Sequence, residues 1–350
     1  MTRNILFICG SLNQTQQMHQ ISKHLEKYNL FFSPYYADGI EDLASQFGLL
    51  NKTVLGGRHL ADTREYLYSH GMQVDYRGQG RNYDLVFTCS DLIVPRNIRR
   101  KRVVLIQEGI TTSENPLYHL VRWGKVFPRY WANTSATGLS HTYDLFCVAS
   151  EGYHNLFIRK GVRPERLAVT GIPNFDNFAA VDRSEFPYTN YVLAATSPAG
   201  NLADVFRREE FIRNCVGVAA GRQLIFKLHP LEDFTKAARQ IHKYAPYAII
   251  LNRGKVNPMI ANADAVITQY SSCTYVALAL GKEIHTMLNL EELRLLTPIQ
   301  NSGDSARRIA ELSRRILFTP LQILLQRRQP QYDWGRLEAW VRSFTKIGNQ

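Results

Sequence analysis

The sequence predicts an α/β protein built as two βα lobes facing a cleft, and three observations predict it. Short apolar runs alternate with helical patterns along the chain, the mark of parallel sheets covered by helices. The alternation pauses at the polar stretch 182–190 and then resumes. At 350 residues the chain can fill two domains, each with a core of its own.

The first half opens with NILFICG (4–10), a buried-strand pattern, followed by a polar turn and a helix over Gln16–Tyr28. NLFFSPYYA (29–37) is a second extended run, ended by Asp38-Gly39, and Glu41–Leu49 and Leu60–His70 have helical spacing. YDLVFTC (83–89) and VVLIQEG (103–109) give two further strands, while 115–140 is aromatic and irregular. YDLFCVAS (143–150) runs into a helix over Glu151–Lys160, and LAVTGIPNFD (167–176) closes the lobe. In the second half, strands are expected at 191–200, 223–230, 247–252, 263–272 and 283–289. Between them lie helices at Ala203–Val218, Leu231–Tyr244, Asn257–Ala263 and Thr274–Leu280, and helical patterns at 304–328 and 333–347 end the chain. The expected division is an N-terminal lobe over 1–178, a C-terminal lobe over 188–328, and a final helix within 331–350 that packs back on the first lobe.

Composition narrows the function. With 45% apolar and 21% charged residues the chain is an ordinary globular one, and no stretch approaches the ~18 uninterrupted apolar residues of a membrane span. MTRNILFICG leads straight into a strand without the apolar core and cleavage site of a secretory signal, so a cytoplasmic location is expected. Five cysteines (Cys9, Cys89, Cys147, Cys215, Cys273) lie far apart without a CxxC, which speaks against a disulfide framework or a metal site. The net charge of +12, densest at Arg96, Arg99, Arg100, Lys101 and Arg102, favours an anionic partner. Without a helix-turn-helix, RGG or RNP-like pattern, nucleic acid is not the expected one.

In parallel βα lobes ligands sit beyond the carboxyl ends of the strands. That rule selects 9–18, 107–114, 196–201, 227–230 and 269–274. Ser271 and Ser272 fall where a strand gives way to a helix, so their hydroxyls and the free backbone N–H groups can hold a phosphate, or simply cap the helix. His229, in KLHP, ends a strand and can bind or protonate a leaving phosphate, with Lys227 two residues earlier as a further contact. Glu108 in QEG is a candidate general base, and Gly109 lets a substrate approach closely. Thr196 and Ser197 supply hydroxyls at the first strand end of the second lobe, as Gly10 and Ser11 supply a small-residue turn in the first. The first turn is neither GxGxxG nor a Walker loop, which excludes dinucleotide and P-loop readings there. GIPNFD (171–176) reads as a structural exit from the first lobe.

Together, SEGYHNLFIRKGVRPERLAVTGIPNFD (150–176), KLHP (227–230) and ITQYSSCTYVALALGK (267–282) resemble the bacterial GT-B group around CDP-glycerol glycerophosphotransferases, over roughly residues 80–285. The first segment is similar to UDP-N-acetylglucosamine 2-epimerases, and the His-Pro and Ser-Ser pairs are similar to those of polysialyltransferases and capsule enzymes that use CMP-sugars. The resemblance implies a GT-B fold of two Rossmann-like lobes, the N-terminal one on the acceptor side and the C-terminal one on the donor side. It implies His229, Ser271 and Ser272 on the donor phosphate and Glu108 as base. Gln107 stands where the sialyltransferase-like members carry a second acid, and the histidine that glycerophosphotransferases place before the glycine is absent. Glycerophosphate is therefore disfavoured as the donor group. Cys273-Thr274-Tyr275 lacks the glycine pair and glutamate of the epimerase pattern.

The expected function is thus a metal-independent transferase, without cofactor, that moves a group from a CMP-, CDP- or UDP-linked donor to a cell-envelope glycan or lipid-linked acceptor. The alternatives are a non-catalytic protein that binds a nucleotide-sugar or an anionic polymer, and an epimerase-like enzyme. Residues 307–328 interleave arginines with Ile309, Leu312, Ile316, Leu317, Leu321 and Leu324. Such a helix either lies peripherally on the inner membrane or packs on its own domain.

Overall fold

The computed structural model describes residues 2–38, 42, 56–109, 111, 114, 116–123, 128–197, 202–229, 232–269 and 271–328. The helices expected at 333–347 and, apart from Asp42, at Glu41–Leu49 lie outside the described residues, as does the segment 331–350.

Two parallel sheets form the two lobes. The first takes β1 (Asn4–Ile8), β2 (Asn29–Ser33), β3 (Leu85–Thr88), β4 (Val103–Ile106), β5 (Leu145–Val148) and β6 (Leu167–Val169) in the order β2-β1-β3-β4-β5-β6. The second takes β7 (Tyr191–Ala195), β8 (Gln223–Lys227), β9 (Ile249–Leu251), β10 (Ala265–Thr268) and β11 (Glu283–Thr286) in the order β11-β10-β7-β8-β9. Strands β3, β4, β5, β7 and β10 are buried at every residue, which is why they read as unbroken apolar runs rather than alternating ones. In each sheet the chain order reverses at one point, between β1 and β3 in the first and between β7 and β10 in the second. These are the crevices where α/β sheets accept ligands.

The helices show where sequence patterning is weak. Helix α1 (Leu12–Ser22) starts four residues before the predicted Gln16, because Ser11 caps it and its polar side chains Gln14, Thr15 and Gln17 are buried. Helix α2 spans Gly57–Ser69, and α3 (Pro116–Trp123) with a 3-10 turn at Arg129–Ala136 occupies a stretch expected to be irregular. The small cluster of Tyr118, Val121, Ala132 and Ala136 holds these two together. Helix α4 (Glu151–Lys160) has the predicted bounds, set by its Ser150 cap and the left-handed Gly161.

In the second lobe, α5 (Leu202–Ala219) and α6 (Phe234–Tyr244) pack on one face of the sheet, and α7 (Val256–Asn262) and α8 (Cys273–Ala279) on the other. The chain then returns to the first lobe through α9 (Leu290–Leu296), α10 (Ser305–Phe318) and α11 (Leu321–Arg328). Ile309, Ala310 and Leu317 join the first lobe's core, although the sequence groups them with the second lobe. Asp176 anchors this return, its Oδ2 accepting the Ser305 N–H at 2.8 Å, which gives GIPNFD the structural role expected of it. At the far end, Arg328 donates to both oxygens of Asp144 at 2.8 and 2.5 Å and to the Lys101 and Arg99 carbonyls. The basic run before β4 also serves the fold, since Arg102 donates to the Thr319 carbonyl at the C-terminal end of α10.

Candidate functional site

Glu108 lies just past Gln107 at the carboxyl end of β4 and gathers side-chain donors from α1. Its carboxylate accepts from Gln14 Nε2 at 2.7 Å and Ser11 Oγ at 3.1 Å, with Asn13 Nδ2 at 3.5 Å. Its carbonyl accepts from Gln17 Nε2 at 3.2 Å. All of these donors come from the first turns of α1, where the free N–H groups and the helix dipole also favour a negative charge. Burial, and next to it the Glu108 charge, pushes the Tyr36 hydroxyl and the Cys89 thiol upward in pKa, so both stay protonated beside the carboxylate. Gly10 permits this packing. A Cβ there would lie 2.7 Å from Gln14 Oε1 and 2.8 Å from Tyr36 Cε1, and the Gly10 N–H itself donates to Gln14 at 3.0 Å.

Gln107 is buried, accepting from the Ala149 N–H at 2.9 Å and donating to the Gly109 carbonyl at 2.8 Å. It therefore fixes the turn that presents Glu108. At Gly109 an added Cβ would meet, among the described residues, only Phe175, at 3.9 Å.

Beside this turn is a cavity of about 420 Å³ between the lobes. Glu108, Gly109, Ser90 and Thr111 line it from the first lobe and Ser272 from the second, with Phe175 of the lobe junction. A second chamber of about 400 Å³ shares Asn13, Phe175 and Ser272 with it and adds Asn174, Gln20 and Asn257. Asn174 ties the junction to α1, donating to the Asn13 side chain at 2.7 Å and accepting from Gln20 Nε2 at 2.7 Å.

On the second lobe, Ser272 is the N-cap residue of α8 without making a side-chain cap, while Ser271 Oγ accepts the Cys273 N–H at 3.2 Å. Ser271 thus does the ordinary capping, and the Ser272 residue faces the cleft. Helix α8 is fixed from the other lobe: the Tyr275 and Tyr153 hydroxyls meet at 2.8 Å, both buried. One buried hydrogen bond therefore links α4 of the first lobe to the helix that begins beside Ser272.

The β8 end is held just as firmly. The His229 N–H donates to Glu232 Oε2 at 2.8 Å and to Thr196 Oγ1 at 3.1 Å, and the Thr196 hydroxyl also bonds Glu232. Arg208 on α5 pairs with Glu232, both almost fully buried, and its Nε and Nη2 have no hydrogen-bond partner among the described residues. Thr196 is thus the clamp of the His229 loop, and Ser197 lies next to it, half-buried. Lys227 is buried and its Nζ donates to the Leu228 carbonyl at 2.9 Å and the Asn252 carbonyl at 3.4 Å, so its first role is to brace the loop ends. Burial lowers the Lys227 pKa, against the opposing influence of Cys273 and Glu232. Burial, helped by Lys227 and opposed by Glu232, also lowers that of His229, leaving a neutral imidazole at neutral pH. Thr268, Ala195 and Lys227 stand in register across β10, β7 and β8, so the Ser271 and His229 loops leave the sheet on either side of β7, two strand spacings apart (roughly 10 Å).

The supporting residues the sequence did not single out include amides and a buried ion pair: Asn13, Gln14, Gln17, Asn174, and Arg208 with Glu232. The polar run LNQTQQ directly after β1 is the signal for the first three. Among the described residues no group of three or more His, Cys, Asp or Glu side chains is placed to hold a metal ion.

No protein-family model matches the sequence, and no curated protein sequence matches it. Solved structures do. The S. aureus MnaA–UDP co-structure aligns with a TM-score of 0.56 at 11% identity, over 91% of this chain and 98% of that one. The UDP-GlcNAc 2-epimerase of Neisseria meningitidis bound to UDP-GlcNAc aligns at 0.51 and 12%, over 89% and 100%. That of Methanocaldococcus jannaschii in complex with UDP-GlcNAc and UDP aligns at 0.51 and 13%, over 90% and 100%. Two all-parallel lobes, two switch-point crevices and a cleft between them define the class, and these neighbours place the chain in it: this is a GT-B fold.

Proposed function

We propose that this protein is a GT-B transferase that moves a group from a CMP-, CDP- or UDP-linked donor to a cell-envelope glycan or lipid-linked acceptor. The observation that carries the reading is the shared cavity, which has the Glu108 turn on one wall and Ser272 on the other. Glu108 takes the proton of the acceptor hydroxyl as its oxygen attacks the donor's transferred carbon, and the bond from that carbon to the nucleotide phosphate breaks. Negative charge then develops on the departing phosphate. His229, Ser271 and Ser272 supply hydrogen bonds to it, with Thr196, Ser197 and Lys227 shaping the pocket. A well-placed donor of this kind lowers the barrier by on the order of 3 kcal/mol. Gly10 and Ser11 hold the acceptor side, and Gly109 leaves room for the acceptor. The displacement is single and inverting, and needs no metal in this scheme.

A second reading has a specific observation behind it, because the structural neighbours include UDP-GlcNAc 2-epimerases. One assay separates the two. The protein is incubated with CMP-, CDP- and UDP-linked donors, with and without glycan acceptors, and nucleotide release and sugar configuration are followed together. Release coupled to an acceptor supports the transferase; inversion of UDP-GlcNAc at C2 supports the epimerase. Tight nucleotide binding with neither product supports a binding protein.

A further inference from the structure

The chain carries a net charge of +12, yet the cleft between its lobes does not share it. Among the described residues, the chamber of about 420 Å³ has one charged side chain in its wall, the Glu108 carboxylate. The adjoining chamber of about 400 Å³ has none among them. Lys227 and His229, at the β8 end, line neither chamber. An anionic group lodged in these chambers would meet a carboxylate or no counter-charge from the described residues, and a charge taken out of water without a partner is costly. The basic residues Arg96, Arg99 and Arg100 are exposed instead.

Carboxamides take the place of charge in the second chamber, and they are of two kinds. Asn13, Asn174 and Gln20 hold one another: Asn174 Nδ2 donates to the Asn13 carbonyl at 2.8 Å and to its side chain at 2.7 Å, and Gln20 Nε2 donates to Asn174 Oδ1 at 2.7 Å. Gln16 of α1 and Asn257 of α7 line the same chamber from opposite lobes, and their side chains have no hydrogen-bond partner among the described residues. A carboxamide presents a donor and an acceptor side by side, which neighbouring hydroxyls of a saccharide match in pairs. Phe175 lies in the wall of both chambers and meets Phe178 edge-on with centroids 5.8 Å apart, so an aromatic surface is there for the C–H face of a sugar ring. Ser90, Thr111, Thr134 and Thr137 add uncharged hydroxyl-bearing residues around Glu108. Each chamber has the volume of a small-molecule site.

We infer that the two chambers are a subsite for an uncharged saccharide, so that the acceptor is the neutral end of a glycan and not a sialylated, uronic or phosphodiester chain. The terminal sugar occupies the Glu108 chamber, and the sugar before it takes the amide chamber, held between Gln16 and Asn257. The saccharide site stands on the lining of the cleft, while calling its occupant the acceptor rests on the transferase reading. The positive charge of the chain, from which an anionic partner was expected, has no part in choosing this ligand.

The test is saturation-transfer NMR on the full chain with lactose, maltose and diacetylchitobiose as neutral probes, and with sialyllactose, digalacturonic acid and glycerol phosphate as anionic ones. Binding of at least one neutral probe and of none of the anionic ones is expected. Asn257→Ala and Gln16→Ala should each weaken the bound probe by roughly 5-fold, through the loss of one or two hydrogen bonds, and leave UDP, CDP and CMP affinities within ~3-fold. Gln16 is exposed and its variant should unfold as the wild type does, so its result stands even if Asn257→Ala is destabilised. Absence of binding by every neutral probe, tighter binding by an anionic one, or undiminished binding by Gln16→Ala would overturn the inference. So would a loss of nucleotide affinity of more than ~10-fold in Asn257→Ala, which would assign the amide chamber to the nucleobase. The same probes are then offered with each nucleotide-linked donor. Saccharide binding without nucleotide release would uphold the saccharide site and refute the transferase reading, so the two failures are told apart.

Discussion

The Tyr153–Tyr275 contact can be measured as a coupling energy, because it is a single buried bond between two hydroxyls that belong to different lobes. The oxygens are 2.8 Å apart and both side chains are about 99% buried or more, so neither hydroxyl can turn to water once its partner is lost. Burial raises the pKa of both, so the bond persists across the ordinary pH range. Removing one hydroxyl forfeits a net ~1 kcal/mol and leaves the other without its partner, for a total of about 1–3 kcal/mol. Tyr275→Phe and Tyr153→Phe should each fall within that range. Y153F/Y275F removes both ends of the same bond, so its cost should be less than the sum of the single costs by about 1 kcal/mol. Denaturant unfolding of the four proteins gives the cycle directly. Single costs that add to within ~0.3 kcal/mol would refute the idea that this bond couples α4 of the first lobe to α8 of the second.

Other perturbations probe other parts of the molecule. Arg328→Ala strips a carboxylate that is 1% exposed of its bidentate partner, and should cost about 3–5 kcal/mol in chemical denaturation, whereas a surface pair would cost less than ~1. Gly10→Ala drives a methyl into Gln14 and Tyr36 and so displaces the donors to Glu108. It should lower turnover by at least ~10-fold, and a crystal structure should show Gln14 moved. Gly109→Ala meets nothing closer than 3.9 Å among the described residues and should leave stability within ~0.5 kcal/mol of wild type. Burial lowers the pKa of His19, His141 and His229, so the folded protein binds fewer protons than the unfolded chain between those lowered values and ~6.5. Stability therefore falls as pH drops below ~6.5, and thermal unfolding at pH 7 and pH 5 should show it; equal midpoints would contradict the assignment.

Much of the fold is written in its strands. A strand buried on both faces, such as β3 or β7, leaves an apolar run that has few other meanings, and Ser150 and Gly161 bracket α4 with unambiguous cap chemistry. Helix α1 was harder, because a helix that faces a polar cleft buries amides and hydroxyls and loses its apolar period. The return of α10 to the first lobe was not legible either. Its apolar stripe states that the helix packs on something, but the choice of lobe is made by long-range contacts such as Asp176 with Ser305. At the cavity, the strand-end rule reached Glu108 and Ser272, since it depends only on topology, while His229 and Ser271 end strands of the second lobe without being among its lining residues. The groups that hold them, among them Glu232, Arg208 and Asn174, act through distances that local sequence does not encode.

The central claim is that Glu108, across the cleft from Ser272, removes a proton from the acceptor, and Glu108→Gln tests it most directly. Once the donor is known, turnover and nucleotide affinity are measured on the same preparation. The account predicts that turnover falls by at least ~100-fold while nucleotide affinity changes by less than ~3-fold, since the carboxylate stands on the lobe opposite the phosphate. Turnover close to that of the unaltered protein, or a parallel loss of nucleotide binding, would contradict it.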